Sequence, residues 1–169
     1  MKIAVVFGSH RIEGKNREIE NTLRNSNFNH EFDFIRLAEI EIAPTETPIS
    51  SSDGFSDVLN RLVNADFILL AVSVYCPYPS KFVALMERLL DVSYQNSNKP
   101  LKGKIAIVYY CSVKICDETP IKLLFQKYLM DDYRFDTPNY DKYTNNEPNP
   151  NEKYHNDVTQ YVLDIVQKL

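Results

Sequence analysis

The chain has 169 residues and a net charge of −4, with acidic and basic residues interspersed along its length. That length fits a single domain, residues 1–169, which is large enough to bury a core without disulfide support. The charge balance argues against the basic surface that neutralises a nucleic-acid backbone, so we expect no nucleic-acid partner.

The sequence shows no targeting or disulfide signal. No charged segment followed by an apolar stretch opens the chain, and no apolar run approaches the length that spans a bilayer. Cys76, Cys111 and Cys116 are odd in number and form no C-x-x-C pair, which argues against a disulfide framework or a zinc site. We therefore expect a cytoplasmic protein that has free thiols and neither a bound metal nor a membrane contact.

Five segments rich in branched and aromatic residues predict β-strands. They are residues 3–7, 33–35, 67–72, 105–110 and 133–135. Three of these segments are continuous apolar runs. Such runs are typical of strands that are covered on both faces, in a parallel sheet between helical layers.

The segments between the strands carry apolar residues at helical spacing. A helix behind Ser52 or Asp53, either of which can cap it, is predicted by Phe55, Val58, Leu59, Leu62 and Val63. A helix that begins at Pro79-Ser80 is predicted by Phe82, Leu85, Met86, Leu89 and Leu90. A terminal helix is predicted by Tyr154, Val158, Tyr161, Val162, Ile165 and Leu169.

Two further helices, over residues 15–25 and 120–130, complete a strand–helix alternation that is repeated five times. Residues 136–153 are rich in Asn, Pro and Tyr and predict an irregular loop, in which Tyr140 and Tyr143 either cover a pocket or a subunit contact or lie in solvent. Right-handed crossovers then predict an α/β fold, a doubly wound five-stranded parallel sheet of order 2-1-3-4-5 in three α/β/α layers.

The loops that follow the first, third and fourth strands converge at the ligand-binding edge of such a sheet. They are residues 8–16, 73–79 and 111–119. In the first of them Ser9 offers a hydroxyl and Arg11 a planar, permanently charged fork, directly ahead of a predicted helix start. This pattern predicts a phosphate site at the N-terminus of the first helix, with an ordinary turn as the alternative.

Three stretches of the chain resemble one known family. The opening MKIAVVFGSHRIEGKNRE, the middle ADFILLAVSVYCPYPSKFVALMERLLD and the later LKGKIAIVYYCSVKICDE are similar to the phosphate loop, the flavin-ring loop and the fourth strand of the NADPH-dependent FMN reductases. These reductases and the related NAD(P)H quinone reductases belong to the flavodoxin-like superfamily. The resemblance implies the flavodoxin-like fold and one bound FMN.

The resemblance also assigns cofactor-binding residues. For the FMN phosphate they are Ser9, Arg11, Lys15 and Asn16, and for the ring they are Tyr75, Cys76, Pro77, Tyr78, Cys111 and Ser112. It further implies that NAD(P)H reduces the flavin and that the flavin then reduces a quinone, a free flavin or a similar small acceptor. No protein acid or base is required, so no catalytic residue is assigned, and by analogy with related reductases we expect a homodimer.

Two flavin loops depart from the family pattern. Pro77 stands where the family commonly has a glycine, and it lacks an N–H that could bind the flavin. The loop that begins at Cys111 is poor in glycine. A second interpretation is therefore a flavodoxin-like domain that has lost the flavin and acts as a binding or regulatory module.

Other enzymes and carriers with a similar sheet are less compatible with the chain. None of the three cysteines is followed six positions later by arginine, as a low-molecular-weight phosphatase requires. Residues 40–67 contain no cysteine cluster of the kind found in iron–sulfur flavoproteins. A small flavodoxin acting as a one-electron carrier is usually more acidic than this chain.

Overall fold

The computed structural model describes residues 1–45, 53–74, 79–95, 101, 105–111, 140–144 and 158–169. Five strands form one sheet: β1 Lys2–Phe7, β2 Glu31–Arg36, β3 Phe67–Val74, β4 Ile105–Cys111 and β5 Tyr140–Thr144. All neighbouring strands pair in parallel, in the order β2-β1-β3-β4-β5. The predicted strand order and the predicted α/β class are confirmed.

Helices lie between and after the strands. In chain order they are α1 Lys15–Arg24, a short 3-10 helix Leu37–Glu39, α2 Phe55–Val63, α3 Ser80–Gln95 and α4 Val158–Gln167. The predicted helix over residues 120–130 lies outside the described residues. The four α-helices that are described follow the predicted positions along the chain to within a few residues, and the 3-10 helix was not predicted.

The fifth strand differs from the prediction. β5 covers Tyr140–Thr144, where we predicted an irregular loop, and residues 133–135, the predicted strand, lie outside the described residues. The backbone of Tyr140 pairs with Ile107 and that of Tyr143 with Tyr110. Pairing with β4 satisfies main-chain groups whatever the side chains are, so the polar composition of this segment did not reveal a strand.

β1, which pairs with β2 on one side and β3 on the other, is buried on both faces, as its continuous apolar run predicts. Ala4 and Val6 lie in the core cluster that includes α2 and α3. Ile3, Val5 and Phe7 lie in the second cluster, on the side of α1 and α4. All five side chains are at most 3% exposed. Burial on both sides of one strand gives the three-layer architecture.

The ends of two helices refine the predictions. Asp53 lies one residue before the N-cap Gly54 of α2, and its Oδ1 accepts a hydrogen bond from the Phe55 N–H at 2.6 Å. In α4 the buried residues are Val158, Thr159, Val162 and Val166. Leu169, which we placed on the apolar stripe, is 40% exposed because it lies beyond the last helical residue.

Candidate anion-binding site

The chain turns away from β1 at a tightly packed glycine. The Gly8 N–H donates to the carbonyl oxygen of Ala71 in β3 at 3.0 Å. A Cβ at Gly8 would lie 3.0 Å from Cδ2 of Phe82 and 3.3 Å from Cγ1 of Val72. Only glycine therefore lets the end of β1 approach α3 this closely without moving the Phe82 ring.

Ser9 shapes the turn that follows. Its side chain is buried, and its Oγ accepts a hydrogen bond from the backbone N–H of Arg11 at 3.1 Å. Because a hydroxyl has one donor and two acceptor positions, this bond leaves the O–H of Ser9 able to donate to an anion. The predicted serine therefore occupies a turn that suits its predicted role.

The start of α1 carries the second part of the site. Gly14, the N-cap residue, has φ 95° and ψ −144°, a conformation that favours glycine. Its carbonyl oxygen accepts from the Glu18 N–H at 3.1 Å, and no side chain caps the helix. The backbone N–H groups of the first turn lie at this end, together with the positive end of the helix dipole. An anion is favoured at such a terminus.

A depression in the surface joins the loop to the first helix. It is lined by Phe7, Ser9, Arg11, Ile12, Asn16, Glu20, Arg36 and Ala38. Three of the four residues predicted to bind phosphate thus meet here. Asn16 is buried and the side chain of Arg11 is exposed, so the depression combines a fixed amide with a permanent charge.

Lys15, the fourth predicted phosphate residue, is held differently. Its Nζ donates to Glu18 Oε2 at 2.7 Å. The other carboxylate oxygen of Glu18 accepts from the Thr159 hydroxyl at 2.9 Å, which links α1 to α4. Lys15 does not line the depression. Its ammonium group adds positive charge to the start of α1 while being bonded to its own helix.

Sequence reasoning missed Glu20 and Arg36. Arg36 Nε donates to Glu20 Oε2 at 2.7 Å, and Arg36 Nη2 donates to Glu20 Oε1. Arg24 Nε donates to the same Oε1 at 2.8 Å. Burial opposes ionisation of Glu20, but the hydrogen bonds from Arg36 and Arg24 outweigh it and lower the pKa of the carboxyl below its ordinary value. Glu20 is therefore a buried carboxylate at neutral pH.

Two signals in the sequence point to this pair. Glu20 follows Asn16 by four residues, so both lie on one face of α1. Arg36 is the last residue of β2 and pairs with Phe7, the last residue of β1. A sheet of order 2-1-3 brings these two strand ends together, so Arg36 could have been placed beside the loop from topology alone.

The segment after β2 is fastened to α3 at the same edge of the sheet. Lys81 Nζ donates to the carbonyl oxygens of Ala38 at 3.2 Å and Ile40 at 2.9 Å. Ala38 also lines the depression. One wall of the depression is thus held in place by a cation on α3.

Of the residues predicted to surround the flavin ring, only Cys111 is among those that the structure describes. Tyr75, Cys76, Pro77, Tyr78 and Ser112 lie outside the described residues. The backbone of Cys111 ends β4 and pairs with Val74, the last residue of β3. The predicted second and third loops therefore begin side by side, at the edge where β1 also ends.

Neither a membrane span nor a metal cluster is found in the part of the chain that the structure describes. Within it no helix is long and apolar enough to cross a membrane. Nor do the same residues bring together three His, Cys, Asp or Glu side chains that could hold a metal ion.

Comparison with known proteins decides the family. A sequence profile of the NADPH-dependent FMN reductases matches residues 1–115, which is more than half of the chain. The chain belongs to the NADPH-dependent FMN reductase family. It is accordingly a flavoprotein oxidoreductase with the flavodoxin-like fold. The match includes the phosphate loop, α1, β2 and β4, and so all the residues that line the depression.

Solved structures agree with the fold of this family, and ninety chains match. Smu.1420 from Streptococcus mutans UA159 has a TM-score of 0.61 at 16% identity and covers 99% of this chain and 97% of its own. An NAD(P)H:quinone oxidoreductase from Methanothermobacter marburgensis has a TM-score of 0.59 at 14% identity, and the alignment covers 99% of this chain and 96% of that protein.

A short-chain flavodoxin associated with a non-canonical PDU bacterial microcompartment has a TM-score of 0.55 at 14% identity, with 99% of this chain and 98% of its own covered. At identities this low, the structural similarity establishes the shared fold alone. No curated protein sequence matches the chain.

Proposed function

We propose that this protein binds FMN and passes electrons from NAD(P)H to a quinone, a free flavin or a similar small acceptor. One observation carries the proposal. Ser9, Arg11 and Asn16 line a single depression at the N-terminus of α1, in a chain of the NADPH-dependent FMN reductase family. A dianionic phosphate is the group that this combination of donors suits best.

The residues present fit a flavin phosphate in three respects. Ser9 and Asn16 are 4% and 5% exposed, so their polar groups are held in fixed positions. Arg11 adds a guanidinium that can form two parallel hydrogen bonds to phosphate oxygens. Gly14 leaves the first turn of α1 without a capping side chain. We assign Ser9, Arg11, Asn16 and the first-turn N–H groups to the phosphate, with Lys15 adding charge.

In this proposal FMN carries out the electron transfer, and the residues of the chain hold FMN in position. Bound FMN supplies a two-electron carrier between reduced nicotinamide and an acceptor. The phosphate site would anchor one end of the cofactor at the edge of the sheet where β1, β3 and β4 end. Residues Tyr75, Cys76, Pro77, Tyr78, Cys111 and Ser112 are proposed to surround the ring. No side chain is assigned to proton transfer.

The family and similar structures support the proposed electron donor and acceptor. The family description names NADPH and FMN, and one similar structure is named an NAD(P)H:quinone oxidoreductase. We therefore propose a pyridine nucleotide as donor and a quinone or flavin as acceptor. We further propose a homodimer, which light scattering of the purified protein would test, and a cytoplasmic location, which cell fractionation would test.

The deciding experiment is an absorbance spectrum after excess FMN has been added and then removed by desalting. Flavin bands retained at about one FMN per chain support the proposal. Oxidation of NADPH or NADH with a quinone acceptor then identifies the reductase activity. A protein that retains no flavin would overturn the proposal and favour the alternative, a binding or regulatory module.

A further inference from the structure

We propose that Arg36 is a specificity-determining residue that selects phosphorylated flavin over riboflavin, and that Glu20 positions it for this role. The inference rests on the proposed function, because it concerns the same phosphate site. Its basis is that Arg36 lines the depression together with Ser9, Arg11 and Asn16 although it comes from a different strand.

The backbone places Arg36 at the mouth of the phosphate loop. It pairs with Phe7, and the next two residues after Phe7 are the close-packed Gly8 and the turn residue Ser9. Its side chain is 23% exposed, so the guanidinium is neither sealed in the core nor fully solvated. A cation in this setting acts over a distance of several ångströms with little screening.

Glu20 fixes the orientation of that guanidinium. Nε and Nη2, one edge of the planar group, both bond to the Glu20 carboxylate, whose side chain is 2% exposed. The remaining Nη1 makes only longer contacts with Glu39, at 3.3 and 3.4 Å. The position of Nη1 is therefore determined by the two bonds on the opposite edge, rather than by Glu39.

The charge of the cluster favours an anion. Glu20 alone would repel phosphate, but Arg24 and Arg36 both contact its carboxylate, and this trio carries a net charge of +1. Glu39, which contacts Arg36 Nη1, offsets that charge, and Arg11 then brings the charge around the depression to +1. Riboflavin, which has no phosphate, gains nothing from this charge. Discrimination between the two flavins is therefore the property that Arg36 controls.

The test compares FMN and riboflavin affinities of the full-length chain by quenching of flavin fluorescence. In R36Q we expect the dissociation constant for FMN to rise about tenfold and that for riboflavin to change less than about twofold. R36K keeps a cation beside Glu20 without the planar two-bond contact, and we expect a rise of about threefold for FMN. It also provides the answer if R36Q does not fold.

Arg61 supplies a matched control. Like Arg36, it is a partly buried arginine that forms two hydrogen bonds to one carboxylate. Its Nε donates to Asp33 Oδ2 at 3.0 Å and its Nη2 to Asp33 Oδ1 at 2.5 Å. Arg61 lies on α2, however, and does not line the depression. R61Q should leave the ratio of FMN affinity to riboflavin affinity unchanged. If R61Q lowers the ratio as much as R36Q does, the effect is structural and the inference is wrong.

Failure of the inference differs from failure of the proposed function. A wild-type protein that does not bind FMN overturns the proposed function. A wild-type protein that binds FMN, with R36Q and R36K showing the same ratio as wild type, overturns the role of Arg36 alone. A ratio of FMN affinity to riboflavin affinity that falls in the order wild type, R36K, R36Q supports the proposed function and the role of Arg36.

Discussion

Arg88 Nη1 donates to Asp53 Oδ2 at 2.7 Å, between side chains that are 7% and 4% exposed. Asp53 also accepts from the backbone N–H groups of Ala43 at 3.0 Å and Phe55 at 2.6 Å. The guanidinium of Arg88 lies 4.4 Å from the centre of the Phe55 ring. One buried ion pair thus ties the segment before α2 to α3.

Removing one partner of this pair should be costly. We expect Asp53→Ala to lower the free energy of unfolding by about 3–5 kcal/mol, because Arg88 is left as a buried charge without its carboxylate. Urea denaturation followed by circular dichroism measures the change. Glu41→Ala is the control, since Glu41 is 83% exposed and 3.6 Å from Lys81, and its loss should change stability by less than about 0.5 kcal/mol. Equal losses in the two variants would contradict the assignment.

Acid should destabilise the protein through three carboxylates. Hydrogen bonds from Arg61 lower the pKa of Asp33. Burial opposes ionisation of Glu20 and Asp53, yet bonds from arginines and, for Asp53, from backbone N–H groups lower the pKa of both. Between the ordinary pKa values of these groups and their lower pKa values in the folded state, the unfolded chain binds more protons than the folded one, so stability falls as pH falls through this range.

We therefore expect a free energy of unfolding that varies little between about pH 6 and pH 8 and declines below about pH 4.5, near the unfolded pKa of Glu and Asp. Urea titrations at a series of pH values provide the measurement. Asp33→Asn removes one of the three groups and should reduce the slope in the acid range. A stability that stays constant down to about pH 3 would refute the linkage.

The phosphate site predicts a large effect of Arg11. Arg11→Ala should weaken FMN binding by about 1.5–3 kcal/mol, the range for a hydrogen bond to a charged group. Arg17→Ala removes the same charge from an exposed position of α1 that does not line the depression. Titration of both variants with FMN separates a direct contact from a change in net charge. Equal affinities in the two variants would remove Arg11 from the site.

The conformation of Gly14 predicts a backbone effect. Nothing lies within 4 Å of a Cβ added there, so alanine meets no clash, but φ of +95° is strained for it. We expect Gly14→Ala to cost about 1–3 kcal/mol of stability, or to weaken FMN binding if the turn adjusts instead. Glu13→Ala, at the exposed neighbouring position, should do neither. Thermal unfolding with and without FMN distinguishes the two outcomes.

The central part of the fold could be predicted from local pattern. The apolar runs in β1 and β3 indicated strands that are buried on both faces, and both strands lie at the centre of the sheet. β5 could not be predicted in this way. Its sequence, Tyr140–Thr144, has two charged residues between its two tyrosines and so lacks the alternation typical of a strand. Its backbone pairs with β4, which lies about thirty positions earlier in the sequence, and no local pattern encodes that pairing.

The candidate site likewise contains residues that a local motif predicts and residues that only tertiary packing brings together. Ser9, Arg11 and Asn16 lie within eight residues of one another, so a local motif was enough to predict them. Glu20 and Arg36 form one ion pair across 16 positions of sequence. The partner of Asp53 is still more distant, at Arg88. Charged pairs of this kind follow from tertiary packing, and residue type alone does not name the partner.

The position of β1 between β2 and β3 has a consequence for synthesis of the chain. β1 precedes β2 and β3 in the chain, yet its second hydrogen-bonded neighbour is β3, whose last residue is Val74. A nascent chain that has exposed only β1 and β2 leaves one long apolar edge of β1 unpaired. This edge stays unpaired until the residues up to Val74 have emerged, and during that interval it is open to chaperone binding or to misassembly.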